Sequence, residues 1–266
     1  MRITRKFVTV TLAFCLLLTN QTSFAAPIPV GLDITGTMET TQVDPFATLL
    51  ADGNVHEGGA TTGPIDISGL GSVNGTFTAT DDGFDMGATA TGNGGDGIAY
   101  GIFGNDFLID VAIAMTNNTA DTLRLTWSLS WGMSVDADGD DAFAEASMSF
   151  DDGLSTLIAS NVISDTVFGD AKNQNDLGTL GANITDFGAT IFVFDLTAGA
   201  SADLNGLFGL RGGTYTTVGD FAALGDFNLR LRSVENLTPP VQTPEPLTIL
   251  LIGCGLLGIA LYRRKA

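Results

Sequence analysis

Leu123-Arg124-Leu125-Thr126-Trp127-Ser128-Leu129-Ser130-Trp131-Gly132-Met133-Ser134-Val135 decides the fold. Apolar and polar residues alternate along it without a break, the period of two that sets one face of a β-strand on a core and the other in water. Just upstream, Ile109, Val111, Ile113 and Met115 alternate with Asp110, Ala112, Ala114 and Thr116. The intervening Asn117-Asn118-Thr119-Ala120-Asp121 has the length and composition of a hairpin loop. Phe227, Leu229 and Leu231 alternate with Asn228, Arg230 and Arg232 in a late strand, and Ile191-Phe192-Val193-Phe194 reads as a strand covered on both faces, or covered by a loop. Shorter candidates lie at 64–70, 73–80, 84–90, 98–103, 142–149 and 155–162. No stretch before residue 240 keeps a helical period, and Gly, Thr, Asn and Asp punctuate the runs. The expectation is an all-β, antiparallel β-sandwich or jelly-roll-like domain, flanked by an N-terminal signal peptide and a C-terminal hydrophobic helix. The pattern weakens at 170–188, which leaves a split into two domains open.

Charge narrows the function classes. The chain has 11 basic and 30 acidic residues. Three basic residues fall in the first six positions and three in the last four, while Glu245 is the only acid outside 26–237. The body therefore carries a formal charge of −24. Nucleic acid and anionic lipid, which bind clustered Lys and Arg, are poor partners for it. Divalent cations and a hydrated matrix suit it, as does a plain role in keeping an exported protein soluble. Cys15 and Cys254 both lie outside the body, which thus has no internal disulfide, thiol nucleophile or cysteine metal site.

Catalytic signals are sparse. His56 is the single histidine, set beside Glu57-Gly58-Gly59 in what reads as a loop, so a multi-histidine metal site is excluded and a Ser-His-Asp arrangement would have to use it. Gly92-Asn93-Gly94-Gly95-Asp96-Gly97 lacks the helix and lysine of a phosphate loop and reads as a turn. Three acidic turns occur, at Asp81-Asp82-Gly83, Asp136–Asp141 and Asp151-Asp152-Gly153. Asp136, Asp138, Asp140 and Asp141 are the candidate ligands for Ca²⁺, a hard cation that takes oxygen donors. The twelfth position from Asp136 is Ser147, where an EF-hand would need Glu; ordinary turn chemistry explains the same residues. Trp127 and Trp131 share one strand face about 13 Å apart and could make a sugar platform. Their neighbours Leu125, Leu129 and Met133 favour a core position instead.

The two ends carry traffic signals. Arg2, Arg5 and Lys6 precede an apolar Phe7–Leu18, and Ser23 and Ala25 occupy the −3 and −1 positions of a signal-peptidase cut after Ala25, with a cut after Ala26 the alternative. Near the other end Pro244-Glu245-Pro246 is followed by apolar Leu247–Tyr262 and then Arg263-Arg264-Lys265. That apolar run makes about 24 Å of helix against a hydrocarbon core of about 30 Å. Its basic end favours a cytoplasmic terminus with the body outside. A retained anchor and a tail removed after sorting read alike in hydropathy.

Motif, span and basic end, in that order, resemble the PEP-CTERM sorting signal, on which exosortase-type membrane enzymes act. The resemblance covers only about residues 243–265; the body resembles no family. It implies transient anchoring in an inner membrane, processing near Pro244-Glu245-Pro246, and delivery to the cell surface or an exopolysaccharide matrix. The expected organisation is a signal peptide over 1–25, an acidic all-β extracellular domain over 26–237, a Pro-rich spacer over 238–243 and the sorting tail over 244–266. The expected role is structural or matrix-associated rather than enzymatic. A calcium-dependent carbohydrate-binding or adhesive module and an extracellular hydrolase stay open.

Overall fold

The computed structural model describes residues 25–42, 48–69, 71–93, 105–215 and 219–238. The candidate strand at 98–103, Ser23 and the rest of the signal peptide up to residue 24, and the whole sorting tail lie outside them. Among the described residues no helix is long and apolar enough to cross a membrane.

The strands are β1 (Leu32–Gln42), β2 (Thr48–Glu57), β3 (Ala60–Asp66), β4 (Gly71–Thr76), β5 (Gly83–Asn93), β6 (Asn105–Asn117) and β7 (Leu123–Asp138). They continue with β8 (Ala142–Asp151), β9 (Thr156–Asp165), β10 (Ala171–Lys172), β11 (Asn175–Asp176), β12 (Ile184–Leu196), β13 (Ser201–Thr214) and β14 (Asp220–Asn236). They form two antiparallel sheets, one ordered β11-β10-β9-β8-β13-β6-β1-β4 and the other β12-β7-β14-β5-β2-β3. Strands from both sides of residues 170–188 contribute to each sheet.

Alternation explains the packing. Leu123, Leu125, Trp127, Leu129, Met133 and Val135 of β7 point inward and are buried, as are Ile109, Val111, Ile113 and Met115 of β6. Those two strands are not a hairpin. β6 pairs with β1 and β13, and β7 with β12 and β14, so their apolar faces meet across the sandwich. The connection is an inter-sheet corner pinned by Asn117, whose buried amide donates to the carbonyls of Asp121 (2.8 Å) and Leu196 (2.9 Å). Its Oδ1 accepts the N–H of Thr119 at 3.0 Å. Period-two alternation is the same for strands side by side and strands face to face, which is why the hairpin expectation fails.

β12 also departs from expectation. It is an edge strand with one buried face; Phe192 is 5% exposed, but Ile191 and Val193 are 64% and 50% exposed. Glycines and aromatic rings interlock in the core. A Cβ on Gly225 would lie 2.1 Å from Cζ of Phe208, and one on Gly206 would lie 2.4 Å from Cε1 of Phe150. Phe208 and Phe150 then meet Phe227 at centroid distances of 6.2 and 6.1 Å.

Candidate functional site: a polar groove on the eight-stranded sheet

Outward side chains of three neighbouring strands form the site. The ladder sets Arg211 of β13 between Glu145 of β8 and Asp106 of β6, and the next outward row sets Gly209 between Ser147 and Leu108. Beyond it Leu207 stands between Ser149 and Asp110, while Ser147 also faces Asn161 of β9. Gly209 carries no side chain, and a Cβ there would lie 3.1 Å from Leu108 and 3.2 Å from the Ser147 hydroxyl. A groove of about 370 Å³ lies over this surface, lined by Glu145, Ser147, Ser149, Asn161, Gln174 and Leu207.

The rim is built by a tight turn. Asn173 and Gln174 take left-handed φ of 51° and 65°, a conformation Asn tolerates better than most residues. Asn173 Oδ1 accepts the N–H of Asn161 at 3.0 Å, and the Asn173 N–H returns to the Asn161 carbonyl at 2.9 Å. The turn thus holds Gln174 against the groove.

One end of the groove is charged. Arg211 Nε lies 3.0 Å from Asp106 Oδ1, and Nη1 lies 3.7 Å from Glu145 Oε2. Burial pushes the Glu145 carboxyl above its ordinary range; Asp106 adds to the rise and Arg211 opposes it. Hydroxyl, amide and carboxyl groups at inter-strand spacings of about 4.8 Å offer both donors and acceptors to a hydroxyl-rich ligand. Leu207, 42% exposed, adds an apolar contact.

The residues singled out from sequence fall elsewhere. Trp127 is fully buried and donates to the Met115 sulfur at 3.2 Å. Trp131 is half-buried against the same core, over Gly188, and its indole N–H reaches Asp186 at 3.3 Å. Neither stands as an exposed platform. Asp136, Asp138 and Asp140 are exposed at the end of β7 and its turn, while Asp141 is buried. Among the described residues no three His, Cys, Asp or Glu groups are placed to hold one ion.

The other acidic turns bind their own backbone. Buried Asp82 accepts N–H groups from Gly58 (2.9 Å), Thr78 (2.7 Å) and Ala79 (2.8 Å), tying two loops together. Asp152 does the same for Leu154 and Ser155, and the Ser155 N–H foremost holds its carboxyl low.

His56 lies on β2 rather than in a loop, and it is braced. Nδ1 sits 2.8 Å from the Thr61 hydroxyl and Nε2 sits 2.8 Å from Asp85 Oδ2. The chain Thr61–His56–Asp85 has the connectivity of a catalytic triad, but Arg230 stands inside it. Its Nη2 lies 2.6 Å from Asp85 Oδ2 and 2.5 Å from His56 Nε2. A carboxylate already neutralised by a guanidinium orients an imidazole weakly, so the cluster serves to join β2, β5 and β14. Asn54 also donates to Asp85.

Sequence reasoning missed the groove. Ser147, Ser149 and Asn161 fall in the candidate strands 142–149 and 155–162, with no signal that marks them as a site. What makes them a site is strand pairing, which sets Asn161 opposite Ser147 and Leu207, 58 positions on in the chain, opposite Ser149.

No protein-family model matches the chain, and no curated protein does. Among solved structures, the infectious bursal disease virus Gx strain is 9% identical, over 85% of this chain and 74% of that one, with a TM-score of 0.14. The CBM22-1 xylan-binding domain from Paenibacillus barcinonensis Xyn10C is 9% identical over 55% of this chain and 83% of that domain, with a TM-score of 0.12. Likeness that slight carries no argument about function.

Proposed function

We propose that this chain is an exported bacterial surface or extracellular-matrix protein with a structural, matrix-associated role, and that the groove of Glu145, Ser147, Ser149 and Asn161 is its contact with exopolysaccharide. The observation that carries the contact is the set of donors and acceptors that line the groove, Glu145, Ser147, Ser149, Asn161 and Gln174, with Leu207 beside them. Neutral hydroxylated polymers pair with Ser, Asn, Gln and carboxyl groups without needing the positive charge that polyanions require. A body of charge −24 also stays dispersed in a hydrated matrix. The sorting reading rests on Pro244-Glu245-Pro246 and the segments that follow it. In it, signal peptidase cuts after Ala25, the apolar run anchors the chain in the membrane, and an exosortase-like enzyme removes the tail.

Two experiments test the proposal. Intact mass of the protein from its native host is expected to lack Leu247–Tyr262; a dominant surface form retaining Arg263–Ala266 would make the tail a plain anchor. In an affinity gel cast with the host's exopolysaccharide, wild type is expected to be retarded and a Ser147→Ala, Asn161→Ala double variant to lose at least tenfold in affinity at unchanged melting temperature. Equal retardation of the two proteins refutes the groove.

A further inference from the structure

The four sheet edges are unequal. β3 has seven residues and contains Pro64, β4 has six, and β11 has two. Short strands and proline are devices that blunt an edge against further pairing. β12 has none of them: thirteen residues, no Pro, Lys or Arg, and an unbroken register with β7. Among the described residues no strand pairs with its other side.

Lys172 Nζ donates to the Thr185 carbonyl at 3.0 Å from the side away from β7. In an antiparallel strand the N–H and C=O of one residue point the same way and alternate along the chain. The odd-numbered residues 185–195 therefore aim their backbone groups off the edge. The same residues carry the exposed side chains, with Phe187 at 80%, Ile191 at 64% and Val193 at 50%. A cleft of about 220 Å³ separates residues 190–194 from Asp152 and Leu157.

We propose that two copies of the chain pair edge to edge through β12, antiparallel about a two-fold axis at Thr190, joining their six-stranded sheets. Thr190 is the midpoint of Ile184–Leu196, so this register overlaps the whole strand. It sets Phe187 against the second copy's Val193 and Ala189 against its Ile191, an apolar ladder on the outer face. The strand's only charges, Asp186 and Asp195, fall opposite Phe194 and Thr185, so no carboxylate meets a carboxylate. Of these pairs, the eleven residues from Thr185 to Asp195, the stretch with outward backbone groups, span about 37 Å at about 3.4 Å each, in a layer about 10 Å thick. Both partners together then bury roughly 750 Å², below the about 1,200–2,000 Å² of stable interfaces. Pairing is accordingly expected to be no tighter than micromolar and to weaken at low salt, where the acidic bodies repel one another unscreened. The edge lies on the sheet opposite the groove, so neither proposal depends on the other.

Sedimentation of protein purified from its native host tests the pairing between about 1 and 100 μM, a range that brackets an interface of this size. Wild type is expected to shift from monomer to dimer. Ile191→Lys with Val193→Lys, both at exposed positions, is expected to stay monomeric at an unchanged melting temperature. Thr190→Cys is expected to form a disulfide dimer under oxidation that wild type does not form. Wild type monomeric throughout, a dimer indifferent to the lysines, or Thr190→Cys failing to cross-link would each overturn the proposal.

Discussion

Gly225→Ala tests whether glycine holes and aromatic rings hold the two sheets together. The new Cβ would sit 2.1 Å from Cζ and 2.9 Å from Cε2 of Phe208, a ring only 1% exposed. Carbon atoms rest about 3.5–4.0 Å apart, so the ring must retreat by about 1.5 Å. Its retreat is obstructed by Phe227, whose centroid lies 6.2 Å away. Overpacking of this kind costs about 1–3 kcal/mol. Restricting the unfolded chain returns about 0.4–1 kcal/mol, leaving a net loss of about 1–2 kcal/mol. Gly87→Ala is the internal control, because a Cβ there meets nothing within 4 Å; it should be neutral or gain up to about 1 kcal/mol. Thermal melts should separate the two variants by several degrees, at about 2–4 °C per kcal/mol for a domain this size. Urea titrations should show a shifted midpoint at constant slope. Adding Phe208→Leu to Gly225→Ala should cost less than the sum of the single changes by at least about 0.5 kcal/mol. Gly225→Ala melting at or above Gly87→Ala would refute the interlocking account.

The same core makes Trp127→Ala cost about 3–5 kcal/mol, whereas half-buried Trp131 should lose less than half as much when truncated; equal losses in denaturant melts would contradict their different burial. Asp186 titrates low, because although burial alone would raise its carboxyl, bonds from Lys172, Ser160 and Trp131 together outweigh it. The unfolded chain then binds the proton more readily, so this contribution is complete above the ordinary carboxylate range and is lost as pH falls through 3.8 and below. Stability curves of wild type and Asp186→Asn should accordingly lie apart at pH 7 and draw together as pH falls below 3.8; a constant gap counts against the assignment. For the Asp136–Asp141 turn, a calcium site predicts that millimolar Ca²⁺ raises the melting temperature and that Asp138→Asn with Asp140→Asn loses most of the gain; an unchanged melting curve removes the calcium reading.

Local pattern made most strands legible. β7, β6 and the latter half of β14 announce themselves through alternation, since a strand half in water must alternate whatever lies beside it. β1 and β13 were hidden because glycine replaces apolar residues at inward positions such as Gly36 and Gly206. The space there is filled by rings from distant segments, Phe84 and Phe150 respectively. The exposed apolar flank of β12 was misread for the complementary reason: a continuous apolar run signals burial only if something covers both faces, and coverage is not a local property.

By itself, then, the sequence determined the all-β class, the inward face of each well-patterned strand and the strongly acidic composition. All of these follow from composition or from residues within a dozen positions of one another. Tertiary structure alone decided that β6 and β7 face each other across the core, that Arg230 occupies the His56–Asp85 pair, and that Leu207 joins Ser147, Ser149 and Asn161 in one groove. Each of these turns on which strands become neighbours. That choice is fixed by how the rings and glycines of the whole core fit together, not by any stretch of chain read alone.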